Sequence, residues 1–265
     1  MTYLSLKGMA MKKALAAVIV SLLLGCGGGG GGGGSAPSVG PVVSTSSFPV
    51  VNVQANHINS GYTHTGTITG TVTASGITLP VTGTVTLTVT PAPASTFEGR
   101  PALVDSETVS GSITATNPST GASTTIPFPT TTATQTFSDQ ATFAPLGSSS
   151  AGSYSVMQGT ATIPSTAKVG DTGVIGTFTN YTDSSKATTV GTIRISYVVE
   201  ADTSSTAIFN IITQEFDATN TLVATEQVRW RVDTSGTATF VSNSTTATIP
   251  ATATSPSLVL TLTIH

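Results

Sequence analysis

Charged side chains are scarce in this chain. Of its 265 residues, 9 are Lys or Arg and 12 are Asp or Glu, so charge makes up 8% of the sequence, against roughly 25% in an ordinary soluble domain. The scarcity of Lys and Arg excludes a basic surface for nucleic acid. Apolar residues, at 38%, still suffice for a core, and abundant Thr and Ser provide the wettable groups that charge usually provides. We therefore expect a folded protein that does not bind nucleic acid.

Cysteine and histidine are also rare. One Cys and three His leave little material for a zinc site or a Cys–His nucleophile. His57 and His64 are seven residues apart, which would place them on opposite faces of a continuous strand, so we interpret both as loop or edge residues. No His lies between His64 and His265, and no Gly-x-Ser-x-Gly turn precedes a helix, so the sequence predicts no ordinary catalytic triad. We expect a protein without catalytic residues, metal or cofactor.

Asp105 and Glu107 form the one obvious pair of carboxylates. They share a strand face at two-residue spacing, and Glu98 and Arg100 precede them. Because Ca²⁺ takes six to eight oxygen ligands, two carboxylates without an Asx-rich loop are a weak calcium signal.

Glu226 is a discordant charge in an apolar pattern. It alternates onto the same strand face as Leu222, Val228 and Trp230. A carboxylate there has a raised pKa unless an Arg or a hydroxyl meets it, and a single carboxylate lacks the partner that glycoside hydrolysis requires. We therefore favour structural pairing, or a bulge that turns Glu226 outward, over a functional acid. For Trp230 we expect burial in the core rather than a ligand pocket.

The first 26 residues carry the most specific pattern. Lys12 and Lys13 form a short positive region, residues 14–22 form an apolar run, and Leu23-Leu24-Gly25-Cys26 closes it. The run is too short to span a bilayer, which takes about 20 residues, and it has the layout of a secretory signal. The sequence thus predicts a signal peptide over residues 1–25 and an exported protein.

The closing tetrad resembles the lipobox of bacterial lipoproteins, with Leu23 at the third position before Cys26 and Gly25 just before it. The resemblance covers residues 11–26. It implies that the Cys26 thiol receives a diacylglyceryl group, that cleavage precedes Cys26, and that the new amino terminus is acylated too. Several acyl chains anchor a protein stably in a lipid bilayer, whereas one does so only marginally. Gly27 stands where Asp would retain an enterobacterial lipoprotein at the inner membrane, so the resemblance implies the outer membrane, facing the periplasm or the surface.

A Gly-rich tether is predicted over residues 26–47. Residues 27–34 are eight consecutive Gly, followed by a stretch rich in Ser, Ala and Pro. Gly loses the most entropy on ordering, so this segment is expected to be flexible, with a mean reach of ~25 Å.

Two-residue periodicity dominates the rest of the chain. Every odd position from Thr63 to Thr73 is Thr, and the parity changes after Ser75-Gly76, which predicts a hairpin. Apolar and polar residues also alternate over 193–200 and 222–232. Thr is β-branched and suits the wet face of such strands.

Turn clusters separate the strands of the second half. They begin at Asp183, Asp202, Asp217 and Asp233, and the last is typical of a type I turn with Gly236 in the left-handed position. Together they predict an antiparallel meander. Apart from the signal, no window of comparable length shows helical spacing with caps, so we expect the mature domain to be almost entirely β, with little helix.

The predicted fold class is therefore all-β, an antiparallel meander or sandwich. A change in composition near residues 166–173 favours two β units, over residues 48–168 and 169–265. The alternative is one larger sandwich or partly closed barrel, since all-β domains can reach 200–250 residues.

Three functional classes remain open. The first is an anchored structural or interaction lipoprotein, such as an adhesin-like or scaffold module, favoured by low charge and the lack of converging polar groups. The second is a carrier that holds an apolar molecule inside a barrel-like meander, which would show a cavity near Phe209 and Trp230. The third, an enzyme, needs titratable groups that converge in one cleft. The sequence favours the first.

Overall fold

The computed structural model describes residues 44–74, 76–127, 134–249 and 257–265. Leu23, Leu24, Gly25 and Cys26 lie outside these ranges, as does most of the predicted tether. Within them the chain forms one helix, α1 (Val51–Ser60), and sixteen strands. The strands of the first half are β1 (Ser47–Phe48), β2 (Tyr62–Ala74), β3 (Ile77–Val89), β4 (Ala94–Phe97), β5 (Arg100–Thr116), β6 (Ser123–Pro127), β7 (Thr134–Asp139), β8 (Pro145–Ser150) and β9 (Ser153–Met157). The others are β10 (Ala167–Lys168), β11 (Thr172–Tyr181), β12 (Thr189–Ala201), β13 (Thr206–Asp217), β14 (Leu222–Asp233), β15 (Ala238–Ile249) and β16 (Leu258–Ile264).

Twelve of these strands close into an antiparallel barrel, which confirms the all-β class. The ring runs β2, β3, β5, β7, β8, β9, and then β11 to β16 in chain order. Pairing of β16 with β2 closes it, with Ile264 opposite Ile68. β4 and β6 lie beside β5 outside the ring, and β1 pairs with β10 in a separate ladder. Strands from both sides of residue 168 share this one barrel.

The predicted alternation sorts side chains between the inside and the outside of the barrel. On β3, Leu79, Val81 and Val85 are buried inside, whereas the intervening Thr residues lie on the outer face. Outer hydroxyls meet across strands: those of Thr65 and Thr86 are 3.0 Å apart. Thr ladders of this kind replace charge as the wet surface of the sheet.

The helix α1 is an element that the sequence patterns did not single out. It has no side-chain cap at its start, and a helix of 10 residues is marginal by itself. Its stability comes from packing, because Val50, Val53, Gln54, His57 and Ile58 recur at three- and four-residue spacing and form one buried face. Gly61, at a φ of 62°, ends the helix, and a Cβ there would lie 2.4 Å from the carbonyl oxygen of Val89.

The predicted hairpins and meander are confirmed. β2 and β3 form the hairpin expected at Ser75-Gly76, and β11 to β16 pair in succession. At the β14–β15 turn, Oδ1 of Asp233 accepts bonds from the backbone N–H of Ser235 (2.9 Å) and Thr237 (3.0 Å). Gly236 there has a φ of 88°, the left-handed conformation that the sequence predicted.

The inside of the barrel contains two large apolar clusters. The first lies against α1 and includes Phe48, Val53, Phe209, Ile211 and Trp230. The second is formed mainly by β2, β3, β5 and β16 and includes Ile68, Val72, Leu79, Leu260 and Leu262. In the part of the chain that the structure describes, no helix has both the length and the apolar character needed to cross a membrane.

Candidate functional site

Polar side chains on the inner wall form two groups, which we call the first and second arcs. The first arc crosses five neighbouring strands, where each residue is the register partner of the next: Asp105 on β5, Thr136 on β7, Ser148 on β8, Ser155 on β9 and Asn180 on β11. The second arc crosses β13, β14 and β15 through Thr213, Glu226 and Thr245, with Asn243 beside them. Direct cross-strand partners lie about 4.5–5.5 Å apart at Cβ, so each arc is a continuous polar strip.

Hydroxyl groups hold the middle of the first arc together. The Ser148 and Ser155 hydroxyls are 2.7 Å apart and both residues are buried. Next along the wall, the Ser153 hydroxyl donates to Oδ1 of Asn180 at 2.9 Å. Hydroxyls both donate and accept, so this strip can meet a ligand of either hydrogen-bonding sense.

A gap in the packing adjoins the first arc. Its polar side is formed by Thr136, Ser148 and Ser155 and its apolar side by Phe178, Ile193 and Ile195. The empty space is about 260 Å³, including a part open to solvent, and its enclosed part holds about one water molecule. Met157 lies directly opposite Phe178, and a thioether side chain there can adapt to an occupant. The gap is therefore amphipathic and small.

Glu226 anchors the second arc. It is buried, and Nδ2 of Asn243 donates to its Oε1 at 2.9 Å. This agrees with the expected structural pairing. The predicted face was wrong at Leu222, however, which is exposed because the register shifts between Glu215 and Phe216. Because of this irregularity, the side chains at the start of β14 no longer alternate between the inside and the outside of the barrel.

Asp105 and Glu107 share a face, as predicted, and that face is the inside of the barrel. Both are buried, and burial raises the pKa of Asp105. Glu98 and Arg100 do not join them: Oε2 of Glu98 pairs with Nζ of Lys186 at 2.5 Å, and Arg100 pairs with Asp139. Among the described residues, no group of three or more His, Cys, Asp or Glu side chains could hold a metal ion.

An aromatic cluster closes the end of the barrel next to α1. The His57 ring lies 4.1 Å from that of Trp230 and 4.9 Å from that of Tyr62, while Phe240 lies 5.3 Å from Trp230 and 4.1 Å from His64. Burial lowers the pKa of His57 to about 3, so the ring is neutral at physiological pH. The expectation of an exposed loop or edge His was wrong for His57, because α1 turns it into the barrel. The expected burial of Trp230 is confirmed at 5% exposure.

Several buried polar atoms of the inner wall have no hydrogen-bond partner in the ranges that the structure describes. They belong to Gln54 (Nε2 and Oε1), His57 (Nδ1), Asp105 (Oδ1), Ser138 (Oγ), Thr213 (Oγ1) and Trp230 (Nε1). Gln54 is fully buried on the α1 face that carries His57. Buried polar groups are nearly always hydrogen-bonded, so each of these atoms calls for a partner such as an ordered water molecule or a ligand.

The sequence did not single out the hydroxyl residues of the first arc. Ser and Thr are so frequent on the outer face that Thr136, Ser148 and Ser155 look ordinary by type. The two-residue spacing of a strand does show which residues share a face: Thr136 shares one with Ser138, and Ser148 shares one with Leu146. It does not show which face lies inside, because that depends on closure of the barrel.

Comparison with protein-family models, curated proteins and solved structures finds no match for this chain.

Proposed function

We propose that this protein is a lipid-anchored, non-catalytic carrier in the bacterial envelope that binds a small, largely apolar molecule inside its barrel. The barrel itself is compatible with this function, because the interiors of β-barrels are common ligand sites. The proposed anchor is the acylated Cys26 and the proposed location is the outer membrane, both supported by the lipobox resemblance.

The observation that carries the carrier function is the set of unpartnered polar atoms on the inner wall. Asp105, Ser138 and Thr213 are each at most 2% exposed, and each has a side-chain oxygen without a partner among the described residues. Leaving a buried polar group unsatisfied costs about 1–3 kcal/mol. A ligand whose hydrogen-bonding groups meet these atoms would offset that cost.

A structural or interaction role is the second candidate. The outer face supports it, because Thr ladders and four ion pairs cover strands that a tether would display. The described outer surface has few large exposed apolar side chains, namely Val174, Leu222 and Val259. Partner surfaces are usually marked by larger apolar patches, so the inner wall is the stronger candidate.

Trp230 provides the test, since it is the only Trp of the chain and lies on the inner wall. We would produce the mature chain from residue 26 with Cys26→Ser, so that no detergent is needed, and titrate it with 8-bromooctanol, whose bromine quenches indole fluorescence on contact. Saturable quenching with one molecule per chain is expected.

The matched control moves the indole to the outside, in the double variant Trp230→Phe, Val174→Trp. Val174 is 49% exposed, so its indole should show only weak, non-saturating quenching. Equal quenching at both positions, or none at Trp230, would refute the carrier function. If the alcohol has no effect on the fluorescence of Trp230 and a partner protein is captured in a pull-down, the interaction role is favoured.

A further inference from the structure

Residues 44–61, which we call the mouth segment, cross one end of the barrel. This is the end where β2, β13 and β15 begin and where β3, β12 and β14 end. At the start of the segment, the Ser44 hydroxyl donates to the backbone carbonyl of Ser204 in the β12–β13 turn at 3.0 Å. Near its other end, the backbone N–H of Ala92, which follows β3, donates to the carbonyl oxygen of Ile58 at 2.8 Å. The segment therefore runs from β12 to β3 across the mouth of the barrel.

The mouth segment is attached to the barrel mainly at its two ends. The first attachment is the short ladder in which Ser47 and Phe48 of β1 pair with Lys168 and Ala167 of β10. The second is the bond to Ile58 and the turn that leads into β2. Between them lies α1, whose backbone bonds are internal to the helix. Every strand of the ring, in contrast, pairs with a neighbour on both sides. The connection of α1 to the ring is thus of a different kind from the connections within it.

The buried face of α1 combines groups that favour the closed position with groups that oppose it. Val53 and Ile58 are fully buried, and exposing them to water is unfavourable. Gln54 is fully buried too, yet neither atom of its amide has a hydrogen-bond partner among the described residues. The same holds for Nδ1 of His57 and for Nε1 of Trp230, whose ring the His57 ring contacts. Because these atoms would gain water as a partner on opening, they lower the free energy needed to lift α1 from the barrel.

The helix is also weak by itself. It has ten residues and no side-chain cap at its start, and isolated helices of this length are marginal in water. Elements that cover binding sites come from the least stable parts of a fold, because they must open while the remainder stays folded.

We infer that the mouth segment is a lid, which opens without unfolding of the barrel and through which the ligand reaches the inner wall. The opening is a property of the fold, whereas the passage of a ligand rests on the proposed carrier function.

Thiol labelling tests the opening without any ligand. In the mature chain with Cys26→Ser, which removes the only Cys, we would introduce Val53→Cys in α1 and, as the matched control, Val72→Cys in β2. Both valines are fully buried, and Val72 lies in the second apolar cluster. The rate of reaction with dithionitrobenzoate reports how often each thiol becomes accessible. Ile58→Cys serves as the second position in α1 if Val53→Cys does not fold.

The thiol in α1 should react at least about tenfold faster than the thiol in β2, because local opening costs less free energy than global unfolding. Low concentrations of urea should accelerate Val72→Cys steeply and Val53→Cys only slightly, because sensitivity to urea scales with the surface that the opening exposes. Equal rates with equal dependence on urea would refute the lid, since α1 would then open only when the barrel unfolds.

A reversible disulfide tests whether the ligand passes through the lid. Ser47 and Lys168 are register partners and both are exposed. The Cα atoms of such partners lie about 4.5–5.5 Å apart, which is within the range of disulfides. Ser47→Cys with Lys168→Cys, in the Cys26→Ser chain, therefore locks β1 to β10 when oxidised. The matched control is Thr73→Cys with Thr78→Cys, which joins register partners of β2 and β3 at the opposite end of these strands.

Stopped-flow fluorescence measures the rate at which 8-bromooctanol quenches Trp230. Oxidation of the β1–β10 pair should slow quenching at least about tenfold, because a restrained lid limits entry, and reduction should restore the rate of the parent chain. The control disulfide should leave the rate unchanged.

The outcomes separate the two proposals. Equal rates in the oxidised and reduced forms of the β1–β10 pair, with saturable quenching intact, would overturn entry through the lid and leave the carrier function standing. Absence of saturable quenching in the parent chain would refute the carrier function and, with it, the passage of a ligand.

Discussion

The buried imidazole of His57 should make the stability of the barrel depend on pH. Its ring packs between Trp230 and Tyr62, and burial lowers its pKa from 6.5 to about 3. In the unfolded chain the ring takes up a proton below pH 6.5, whereas in the folded protein it stays neutral down to about pH 3. Stability is therefore fully present above pH 6.5 and is lost as the pH falls.

The size of the loss follows from the two pKa values. Each pH unit below 6.5 costs about 1.4 kcal/mol, so the His57 contribution falls by about 2 kcal/mol at pH 5. It stops growing near pH 3, where the folded protein also takes up the proton. Asp105 acts in the opposite direction, because its raised pKa makes the folded state gain stability as the carboxyl becomes protonated.

The assay isolates the His57 contribution by difference. Urea unfolding at pH 8 and pH 5, followed by circular dichroism, gives the free energy of unfolding of the parent chain and of His57→Gln. The parent should lose about 2 kcal/mol more than the variant. His265→Gln, at the exposed last residue, is the matched control and should behave as the parent. Equal losses in the parent and His57→Gln would refute a neutral, buried His57.

Three further predictions test the core, the anchor and the fold class. Trp230→Ala should cost about 3–5 kcal/mol in a denaturant titration, whereas Arg229→Ala, which removes a half-exposed ion pair with Glu200, should cost at most about 1 kcal/mol; the reverse order would mean that β14 is inside out. Cys26→Ser should abolish labelling by radioactive palmitate, and undiminished label would exclude Cys26 as the acylated residue. Far-ultraviolet circular dichroism of the mature chain should show little helix, and a helical content above roughly a fifth would contradict a barrel with one short helix.

The local pattern of the sequence predicted the strands and their turns well. Alternation is a property of neighbouring residues, so Leu79, Val81 and Val85 could be placed on one face without knowing what that face contacts. The turn at Asp233 could be predicted equally well, because the hydrogen bonds of the Asp233 side chain and the left-handed conformation of Gly236 all lie within four residues of Asp233. The same parity correctly placed Trp230 in the core and paired Asp105 with Glu107.

Predictions from two-residue alternation failed where the strands are locally irregular. The register shift at Glu215–Phe216 exposes Leu222, and its position depends on how β13 and β14 fit together. The helix α1 was missed because it has no cap and a mixed face in which Gln54 and His57 stand beside Val53. Packing across the end of the barrel, rather than helix propensity, stabilises it.

Strand pairing between distant parts of the chain decided the remainder. Pairing of β2 with β16 joins Ile68 to Ile264, and nothing in the alternation of either strand specifies the other as its partner. Closure makes one face of every strand an interior, so that Asp105, Thr136 and Ser148 come to form one polar strip with Thr213 and Glu226 on another wall. The amino-acid pattern determined which residues share a face, because that is a matter of two-residue geometry. Which faces enclose a common space was decided by tertiary structure alone, because it depends on contacts between residues that are far apart in the chain.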